Sequence, residues 1–261
     1  MIFPIHKERD KRNPDNYRGI SLLSIVGKVC TAILHAKLSS WCEREGIIVE
    51  EQGGFRPGRG CAEQLYTLIS VLTNRVGETT YCCFIDLRKA YDRVWRKGLW
   101  NRVWREGVRG KMWRVLRNLY SGTQNCVIVG GEKTDFFEVE EGVRQGCVLS
   151  PTLFSIYING VVREIYENGS GIDVCGKKLA ILLYADDIVL IANSAEELQR
   201  NMKIMTDWGR KWKCTFNKKK SKVVVFGSKN KKERRWLLGG GEIEQVNKYK
   251  YLGIDMKGNL K

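Results

Sequence analysis

The sequence has few histidines and no paired cysteines. Its 261 residues include two histidines, and none of the nine cysteines lies in a CxxC pair. These shortages argue against a zinc site and against a disulfide framework in a chain of this length. We therefore expect reduced thiols in an intracellular protein, nuclear or cytoplasmic.

Long apolar runs are also missing. No stretch approaches the roughly 18–20 residues that a membrane span needs. The N-terminus, MIFPIHKERDKR, has a small apolar patch without a cleavage-like site. Neither a transmembrane helix nor a secretory signal is expected.

Acidic residues are few relative to basic ones. The 29 Asp and Glu residues face 45 Lys and Arg residues, which gives a net charge of +16. Such an excess predicts a polyanionic partner, either nucleic acid or an anionic membrane surface. Residues 210–235, RKWKCTFNKKKSKVVVFGSKNKKERR, contain twelve bases and one acid. A solvated basic face is the simpler interpretation of this run, but we favour nucleic acid and predict no membrane partner.

Apolar periodicity predicts a mixture of helices and strands. Ser150-Pro151, and Ser194 with Glu197 three residues later, are typical helix starts. Further helices are predicted over 24–42, around Leu65–Leu72, and in two pieces within 97–120 whose core candidates are Trp100, Trp104, Met112 and Leu116. Strands are predicted at 81–87, 223–227 and 249–254, with a hairpin whose arms, 124–129 and 135–140, flank GGEKT. The mixture indicates an α+β fold with an antiparallel sheet backed by helices.

Two adjacent acids interrupt the apolar stretch ILLYADDIVLIA (181–192). Burying an ionised carboxylate without a partner costs several kcal/mol or more. One interpretation is a tight turn that points Asp186 and Asp187 at solvent, and the other is a hairpin whose tip holds a metal ion. This stretch alone does not decide between them.

A third unusual acid, Asp86, ends the predicted strand in FIDLRKAYDRV (84–94). An acid at this place commonly caps a following helix. However, a strand-end acid together with a hairpin-tip pair is also what two-metal phosphoryl transfer requires, because Mg²⁺ prefers oxygen ligands. Between these stretches, EGVRQGCVLSPTLF (141–154) contains two glycines that allow close approach of backbone to a ligand. A simple chain reversal is the alternative there.

These three stretches, in this order and about 55 and 40 residues apart, resemble motifs A, B and C of reverse transcriptases. NYRGISLLSIVGKV, EEQGGFRPGRGC, NKKKSK and YKYLGI extend the resemblance from about residue 4 to residue 254. Among reverse transcriptases the sequence is similar to the non-LTR (LINE-type) retrotransposon branch, with group II intron maturases more distant.

The resemblance implies a right-hand polymerase architecture. Fingers are expected at 1–78, palm at 79–95, a fingers insertion at 96–144, and palm again at 145–261. The thumb is expected to be missing, with no endonuclease before the fingers, as in the excised catalytic core of a longer element.

The resemblance also implies the catalytic residues. Asp86 and Asp186 are expected to be the principal ligands of two Mg²⁺ ions, which Mn²⁺ could replace, and Asp187 completes the triad. Tyr91 matches the position whose ring stacks under the deoxyribose and excludes a 2′-hydroxyl. An ordinary core aromatic is the alternative for Tyr91.

Further positions are assigned to substrate contacts by the same resemblance. Gln145 and Gly146 would contact the incoming nucleotide and template. Arg18, with Lys7 as a weaker candidate, would hold the triphosphate, and Lys220 would be a general acid toward pyrophosphate. The sequence leaves open which lysine of this segment takes the general-acid role, because Lys218, Lys219 and Lys222 lie close by. Tyr251, Leu252 and Gly253 match a primer grip.

The implied function is RNA-directed DNA synthesis from deoxynucleoside triphosphates on an RNA template and a DNA primer. The sequence departs from the family pattern at Gly19, where the family has proline, and this change should loosen the fingers strand. One rival is a catalytically silent nucleic-acid-binding remnant of such an element. Another rival is an RNA-dependent RNA polymerase. Tyr91 argues against this rival, because a tyrosine at the sugar position favours deoxynucleotides.

Overall fold

The computed structural model describes residues 1–7, 10–227 and 233–258. Its helices are α1 (Ile25–Arg44), α2 (Cys61–Asn74), α3 (Arg96–Arg105), α4 (Gly110–Asn118), α5 (Ser150–Asn168) and α6 (Ala195–Lys211). Its strands are β1 (Ile2–His6), β2 (Tyr17–Ser21), β3 (Thr80–Asp86), β4 (Gln124–Asn125), β5 (Ile128–Val129), β6 (Glu132–Lys133), β7 (Phe137–Glu138), β8 (Ile172–Val174), β9 (Lys177–Leu179), β10 (Ile181–Tyr184), β11 (Asp187–Ala192), β12 (Lys222–Phe226), β13 (Trp236–Leu238), β14 (Gly241–Val246), β15 (Lys248–Tyr251) and β16 (Ile254–Lys257). No helix in the described ranges is long and apolar enough to cross a bilayer.

The chain divides into two compact units. The first unit comprises Met1–Ile47 and Tyr91–Tyr157, and the second comprises Ile48–Ala90 and Ile158–Lys261. Each unit is described by itself below.

The second unit is built on a six-stranded sheet with the order β10-β11-β3-β12-β14-β13. Strand β3 is central because its residues Cys82–Ile85 are apolar and fully buried, so the strand can be covered on both faces. The sheet is antiparallel as predicted, except that β12 and β14 run parallel. This exception arises because β13 and β14 form a hairpin whose second strand lies inward, next to β12.

Helices and apolar side chains cover this sheet. Helix α6 packs on β3, β11 and β13. Leu68 and Leu72 of α2 belong to a buried cluster with Phe84 and Val189 of the sheet. Burying such side chains contributes roughly 1.5–3 kcal/mol each, so the sheet core is a principal source of stability for this unit.

Helix α6 begins as the sequence predicts. The Ser194 hydroxyl accepts a hydrogen bond from the Glu197 amide at 3.1 Å. The Glu197 carboxylate accepts from the Asn193 amide, one residue earlier than a standard capping box would place it. The apolar stripe Leu198, Met202, Met205 and Trp208 is fully buried. Periodicity therefore identified both the start and the buried face of this helix.

The first unit holds a β1–β2 ladder, α1, the α3–α4 pair and two short ladders, β4–β7 and β5–β6. The hairpin predicted around GGEKT is present, but its turn is shorter. Gly130 and Gly131 both have positive φ (61° and 89°), and Glu132 already belongs to the returning strand. Two consecutive glycines suit a tight two-residue turn because they alone tolerate this backbone at no steric cost.

Some predicted core positions are exposed in the first unit. The prediction that Trp104 is a core residue is wrong, because its side chain is 43% exposed. Helix α3 buries Leu99, Trp100 and Val103, and Trp104 falls beyond this face. Helix α1 forms close to its predicted range, and its apolar residue Val26 is 73% exposed, because no other described part of this unit covers that face.

The segment YKYLGI forms a hairpin and not the single strand that was predicted. Strands β15 and β16 pair antiparallel as a separate two-stranded sheet. Leu252 and Gly253 form the turn, with φ of 45° and 88°. A glycine at the second position suits this backbone, which alternation of apolar residues alone does not reveal.

Candidate active site

The two adjacent acids lie at a hairpin turn in the second unit. Strands β10 and β11 pair up to Tyr184 and Asp187, so Ala185 and Asp186 form the turn. Ala185 has φ of +57°, a left-handed conformation that costs a residue with a side chain of order 1 kcal/mol or more. The surrounding structure must therefore hold this turn in place.

Gln52 holds the turn from behind. Its side chain is buried, with 1% of the residue exposed. The Gln52 Oε1 accepts hydrogen bonds from the amides of Ala185 (2.9 Å) and Gly54 (2.8 Å). A Cβ on Gly54 would lie 2.3 Å from the Ala185 nitrogen, so only glycine fits there. The stretch EEQGGFRPGRGC contributes to the resemblance, but the sequence assigns Gln52 no role because it does not show which strand this stretch contacts.

Asp86 and Asp187 are neighbours on adjacent antiparallel strands. They are register partners in the β3–β11 ladder, where opposite Cβ atoms lie about 4.5–5.5 Å apart. Burial, followed by the charges of Asp186 and Asp86, raises the pKa of Asp187 to about 6. The three predicted acids thus act on one another electrostatically.

A basic turn lies against the end of β3. The Asn217 amide donates to the Asp86 carbonyl oxygen (2.8 Å), and the buried Ser221 hydroxyl accepts from the Asp86 amide (3.1 Å). These bonds fix the NKKKSK segment beside the acids. The Lys220 charge lowers the pKa of Asp187, in opposition to the neighbouring carboxylates.

The neighbouring lysines have other surroundings. Lys222 pairs with Glu244 at 2.6 Å. The Lys218 side chain passes over Gly241, where a Cβ would lie 2.4 Å from its Nζ. Of the residues predicted for this role, Lys220 is the one whose charge the structure couples to Asp187. The part of the basic run that spans 228–232 lies outside the described residues.

Two tyrosines of the last hairpin border the acids. The Tyr249 ring stacks on Phe84, with ring centroids 4.6 Å apart. Burial, followed by the charges of Asp187 and Asp86, raises the pKa of Tyr249 to about 12. Tyr251 is buried in the sheet core, and its pKa is raised by burial and by Asp187. Of the predicted primer-grip residues, Tyr251 therefore lies inside, while Leu252 and Gly253 form the turn beyond it.

The chemistry of these acids suits a divalent cation. Within the described residues, no group of three or more His, Cys, Asp or Glu side chains is arranged to hold a metal ion. Mg²⁺ commonly needs only one or two carboxylates, because water and substrate phosphates complete its shell. Burial and the repulsion of Asp186 and Asp86 raise the pKa of Asp187, and a cation between these carboxylates would relieve that repulsion. The donor set therefore fits Mg²⁺ without a preassembled three-ligand cage.

The remaining predicted site residues lie in the first unit. Arg18 is exposed on β2, and Lys7 follows β1 with its amide bonded to the Asn16 carbonyl oxygen (2.9 Å). Gly19 lies opposite Pro4, and a Cβ there would approach the Ile2 side chain to 2.9 Å. The departure from the family pattern at residue 19 is thus matched by close packing against β1.

Gln145 and Gly146 are joined to the strand of Arg18. The Ser21 amide donates to the Gln145 carbonyl oxygen at 2.7 Å. The Gln145 side chain donates to Asp92 at 3.1 Å. Gly146 has φ of 95°, which favours glycine.

Tyr91 is half-buried in the same unit. Its ring stacks on Phe154, with centroids 5.0 Å apart and planes 14° apart. The Tyr91 carbonyl oxygen accepts a hydrogen bond from the Val143 amide at 2.7 Å, so Tyr91 is bonded to the loop that contains Gly142 and Gly146. The structure thus places Tyr91, Gln145 and Gly146 in the first unit, and the three acids with Lys220 in the second.

A solved structure shares the fold of this chain. A solved structure of apo telomerase from Candida tropicalis, truncated from its C-terminal domain, matches with a TM-score of 0.61. The match covers 93% of this chain and 51% of that chain at 15% identity, so it concerns the fold alone. The predicted α+β polymerase fold is confirmed.

The family follows from a match along almost the whole chain. Residues 5–256 match the model of the family described as reverse transcriptase (RNA-dependent DNA polymerase). The chain belongs to this family. Reverse transcriptases use divalent metal ions.

Similarity to curated proteins indicates the branch of the reverse transcriptase family to which the chain is related. The chain is similar to the probable RNA-directed DNA polymerase from transposon X-element of Drosophila melanogaster, at 28% identity over 97% of this chain and 28% of the relative. It is also similar to the RNA-directed DNA polymerase from mobile element jockey of Drosophila funebris, at 27% identity over 94% of this chain and 27% of the relative. The prediction of a non-LTR retrotransposon reverse transcriptase is confirmed. The chain spans just over a quarter of the length of these relatives.

Proposed function

We propose that this chain catalyses RNA-directed DNA synthesis, adding deoxynucleotides to the 3′-hydroxyl of a DNA primer on an RNA template. The observation that carries the proposal is the pairing of Asp86 with Asp187 beside Lys220, in a chain that matches reverse transcriptases from residue 5 to residue 256. The relatives' printed names, RNA-directed DNA polymerases of mobile elements, support the same template and product.

Asp86, Asp186 and Asp187 are the proposed ligands of two Mg²⁺ ions. When bound, these ions would stabilise charge on the attacking and leaving oxygens. The chain itself contributes positioning. Gln52 holds the hairpin turn, and the Asn217 and Ser221 bonds hold the end of β3, so the carboxylates are oriented before substrate binds. Lys220 is the proposed proton donor to pyrophosphate.

The substrate contacts are proposed from the first unit. Arg18, with Lys7 as the weaker candidate, would contact the triphosphate, and Gln145 with Gly146 would contact the incoming nucleotide and template. The ranges expected for fingers and palm, the primer-grip role of Tyr251, Leu252 and Gly253, and an intracellular location stay predictions.

Primer extension tests the proposal. The 261-residue chain is incubated with a DNA primer on a homopolymeric RNA template, deoxynucleotides, and Mg²⁺ or Mn²⁺. We expect metal-dependent extension that Asp186→Asn lowers by roughly a hundredfold or more, while primer–template binding is retained. Asp135→Asn, an exposed acid in the first unit, is the matched control and should extend normally. Equal extension by the Asp186 variant, or binding without extension in either metal, would contradict the proposal.

The proposed sugar selectivity of Tyr91 has its own test. Tyr91→Ala should raise the rate of ribonucleotide incorporation relative to deoxynucleotide incorporation, because the ring would no longer exclude the 2′-hydroxyl. Tyr91→Phe keeps the stacked ring and should keep the wild-type ratio. An unchanged ratio in an active Tyr91→Ala protein would assign Tyr91 to packing against Phe154 alone.

A further inference from the structure

The first unit carries a second concentration of positive charge that the resemblance did not identify. Residues 93–117, RVWRKGLWNRVWREGVRGKMWRVLR, contain nine bases and one acid. They include both α3 and α4, which pack against each other. The density of charge is comparable to that of the predicted basic run at 210–235.

The single acid of this segment forms an ion pair within the segment. Glu106 pairs with Arg102 at 3.5 Å, and the Glu106 side chain is 6% exposed. Arg96 is also turned inward, where it donates to the carbonyl oxygens of Gly142 (2.9 Å) and Tyr120 (3.0 Å). The other seven bases are exposed, and they are Arg93, Lys97, Arg105, Arg109, Lys111, Arg114 and Arg117. Within the described ranges, none of these seven pairs with a carboxylate.

Aromatic rings lie among these exposed bases. Arg109 lies over the Trp104 ring and Arg117 over the Trp113 ring, each with its guanidinium 5.4 Å from the ring centroid. The two rings meet edge to face at 5.4 Å, and Trp113 donates its indole N–H to the Trp100 carbonyl oxygen (3.0 Å). Trp113 is thus fixed, and it supports the exposed ring of Trp104.

The exposed bases and the exposed aromatic ring of this surface together favour nucleic acid as its partner. Exposed arginines and lysines without acidic partners suit a chain of phosphates, and an exposed aromatic ring offers a stacking surface for an unpaired base. A lipid surface would require an apolar face turned outward, whereas in α4 Leu116 is buried, Met112 and Trp113 are half-buried, and the basic residues are exposed. The two helices, of ten and nine residues, are each about 14 Å long, which gives room for several phosphates.

We propose that the exposed surface of α3 and α4 binds a single-stranded segment of nucleic acid, with phosphates on the seven bases and a base stacked on Trp104. This binding surface lies in the first unit and does not depend on the chemistry of the three acids. It adds a contact with the polynucleotide to the proposed function and can be tested separately from it.

Removing charge from this surface tests the phosphate contacts. The variant Arg105→Gln/Lys111→Gln/Arg114→Gln is compared with Lys177→Gln/Lys178→Gln/Lys203→Gln, which removes three exposed charges from the second unit. Affinity for a fluorescein-labelled oligouridylate is measured by anisotropy over a salt series. We expect the first variant to bind roughly tenfold more weakly and to lose about 2 units from the slope of log K against log salt. The control should keep both values.

Replacing the exposed ring tests the stacking contact. Trp104→Ala should weaken binding by about tenfold with an unchanged salt slope, because stacking releases no counterions. Trp104→Phe should restore most of the affinity. Circular dichroism and thermal midpoints establish that every variant is folded.

Three results would overturn the proposal. They are wild-type affinity and slope in the Arg105/Lys111/Arg114 variant, an equal loss in the control variant, and tight binding to phosphatidylserine vesicles that depends on the same three residues. Asp186→Asn should bind the oligonucleotide with wild-type affinity and slope. A chain that fails to extend primers but passes these tests would therefore contradict the proposed function and leave the binding surface intact.

Discussion

At the scale of single residues, Asp187 lies in surroundings that oppose its charge. Its pKa is raised to about 6 by burial and by two neighbouring carboxylates, so the folded chain binds a proton more tightly than the unfolded chain does. The stability contributed by the protonated form is therefore present at low pH and lost as the pH rises through about 6.

Asp187→Asn should consequently stabilise the fold at neutral pH. We expect the free energy of unfolding to increase by about 1–2 kcal/mol at pH 7 in buffer without divalent ions, and by little at pH 4. Chemical denaturation at the two pH values measures the difference. Asp135→Asn, at an exposed position, should change neither value. A variant that is less stable than wild type at pH 7 would show that Asp187 makes a favourable contact that outweighs the repulsion.

Gln52 is the residue on which the geometry of the hairpin turn at Ala185 and Asp186 depends most directly. Gln52→Ala would leave the buried amides of Ala185 and Gly54 without acceptors. We expect a loss of about 2–4 kcal/mol in unfolding free energy, because a buried unpaired donor costs about 1–3 kcal/mol.

A glutamine in more exposed surroundings provides the comparison for Gln52. Gln199 hydrogen-bonds both backbone groups of Leu237, at 2.9 and 3.0 Å, and its side chain is less deeply buried than that of Gln52. Gln199→Ala should cost well under half as much, since water can replace its bonds. Equal losses in the two variants would argue that burial of the turn is not what makes Gln52 important.

At the scale of elements, capping provides a quantitative test of α6. Ser194→Ala removes the hydroxyl that accepts from the Glu197 amide and should lower the unfolding free energy by about 1 kcal/mol. Ser40→Ala, at an exposed position inside α1, is the control and should be neutral or slightly stabilising, since alanine favours helices. Urea denaturation of both variants measures this contribution, and no loss on Ser194→Ala would mean that Glu197 alone caps the helix.

The sequence predicted long periodic elements better than short ones. The stripe of α6 and the apolar run of β3 are local signals, so both were identified with their buried faces. Strands β5 and β6, of two residues each, carry no such signal. The parallel pairing of β12 with β14 depends on which strand of a hairpin lies inward, which is decided by tertiary packing.

The sequence also predicted only part of the candidate site. The three acids stood out because charge is rare in apolar strands, and the family motifs gave their order. Gln52 and Ser221 act through backbone amides of distant segments, so their residue types alone do not reveal a role. The basic face of α3 and α4 was visible in the composition, but only the structure shows that Arg96, Arg102 and Glu106 face inward.

At the scale of the whole molecule, metal binding should appear as stability. A ligand that binds the folded state alone raises the unfolding free energy, by about 1.4 kcal/mol at ten times its dissociation constant. We expect Mg²⁺ to raise the thermal midpoint of the wild-type chain and to have a much smaller effect on Asp86→Asn. Sodium chloride at equal ionic strength is the control for screening, which itself changes the stability of a chain of net charge +16. Equal midpoint shifts in the two proteins would argue against Asp86 as a ligand.

The central position of β3 also has a consequence for how the protein is made. Its sheet neighbours are β11 and β12, which follow about 100 and 140 residues later in the chain. At about 5–20 residues per second, the ribosome needs roughly 5–30 s to supply them. During that interval the apolar segment TYCCFI (80–85) has no strand to pair with on either side. The nascent chain therefore exposes an aggregation-prone strand, and its yield should depend on chaperones that hold such segments until β12 emerges.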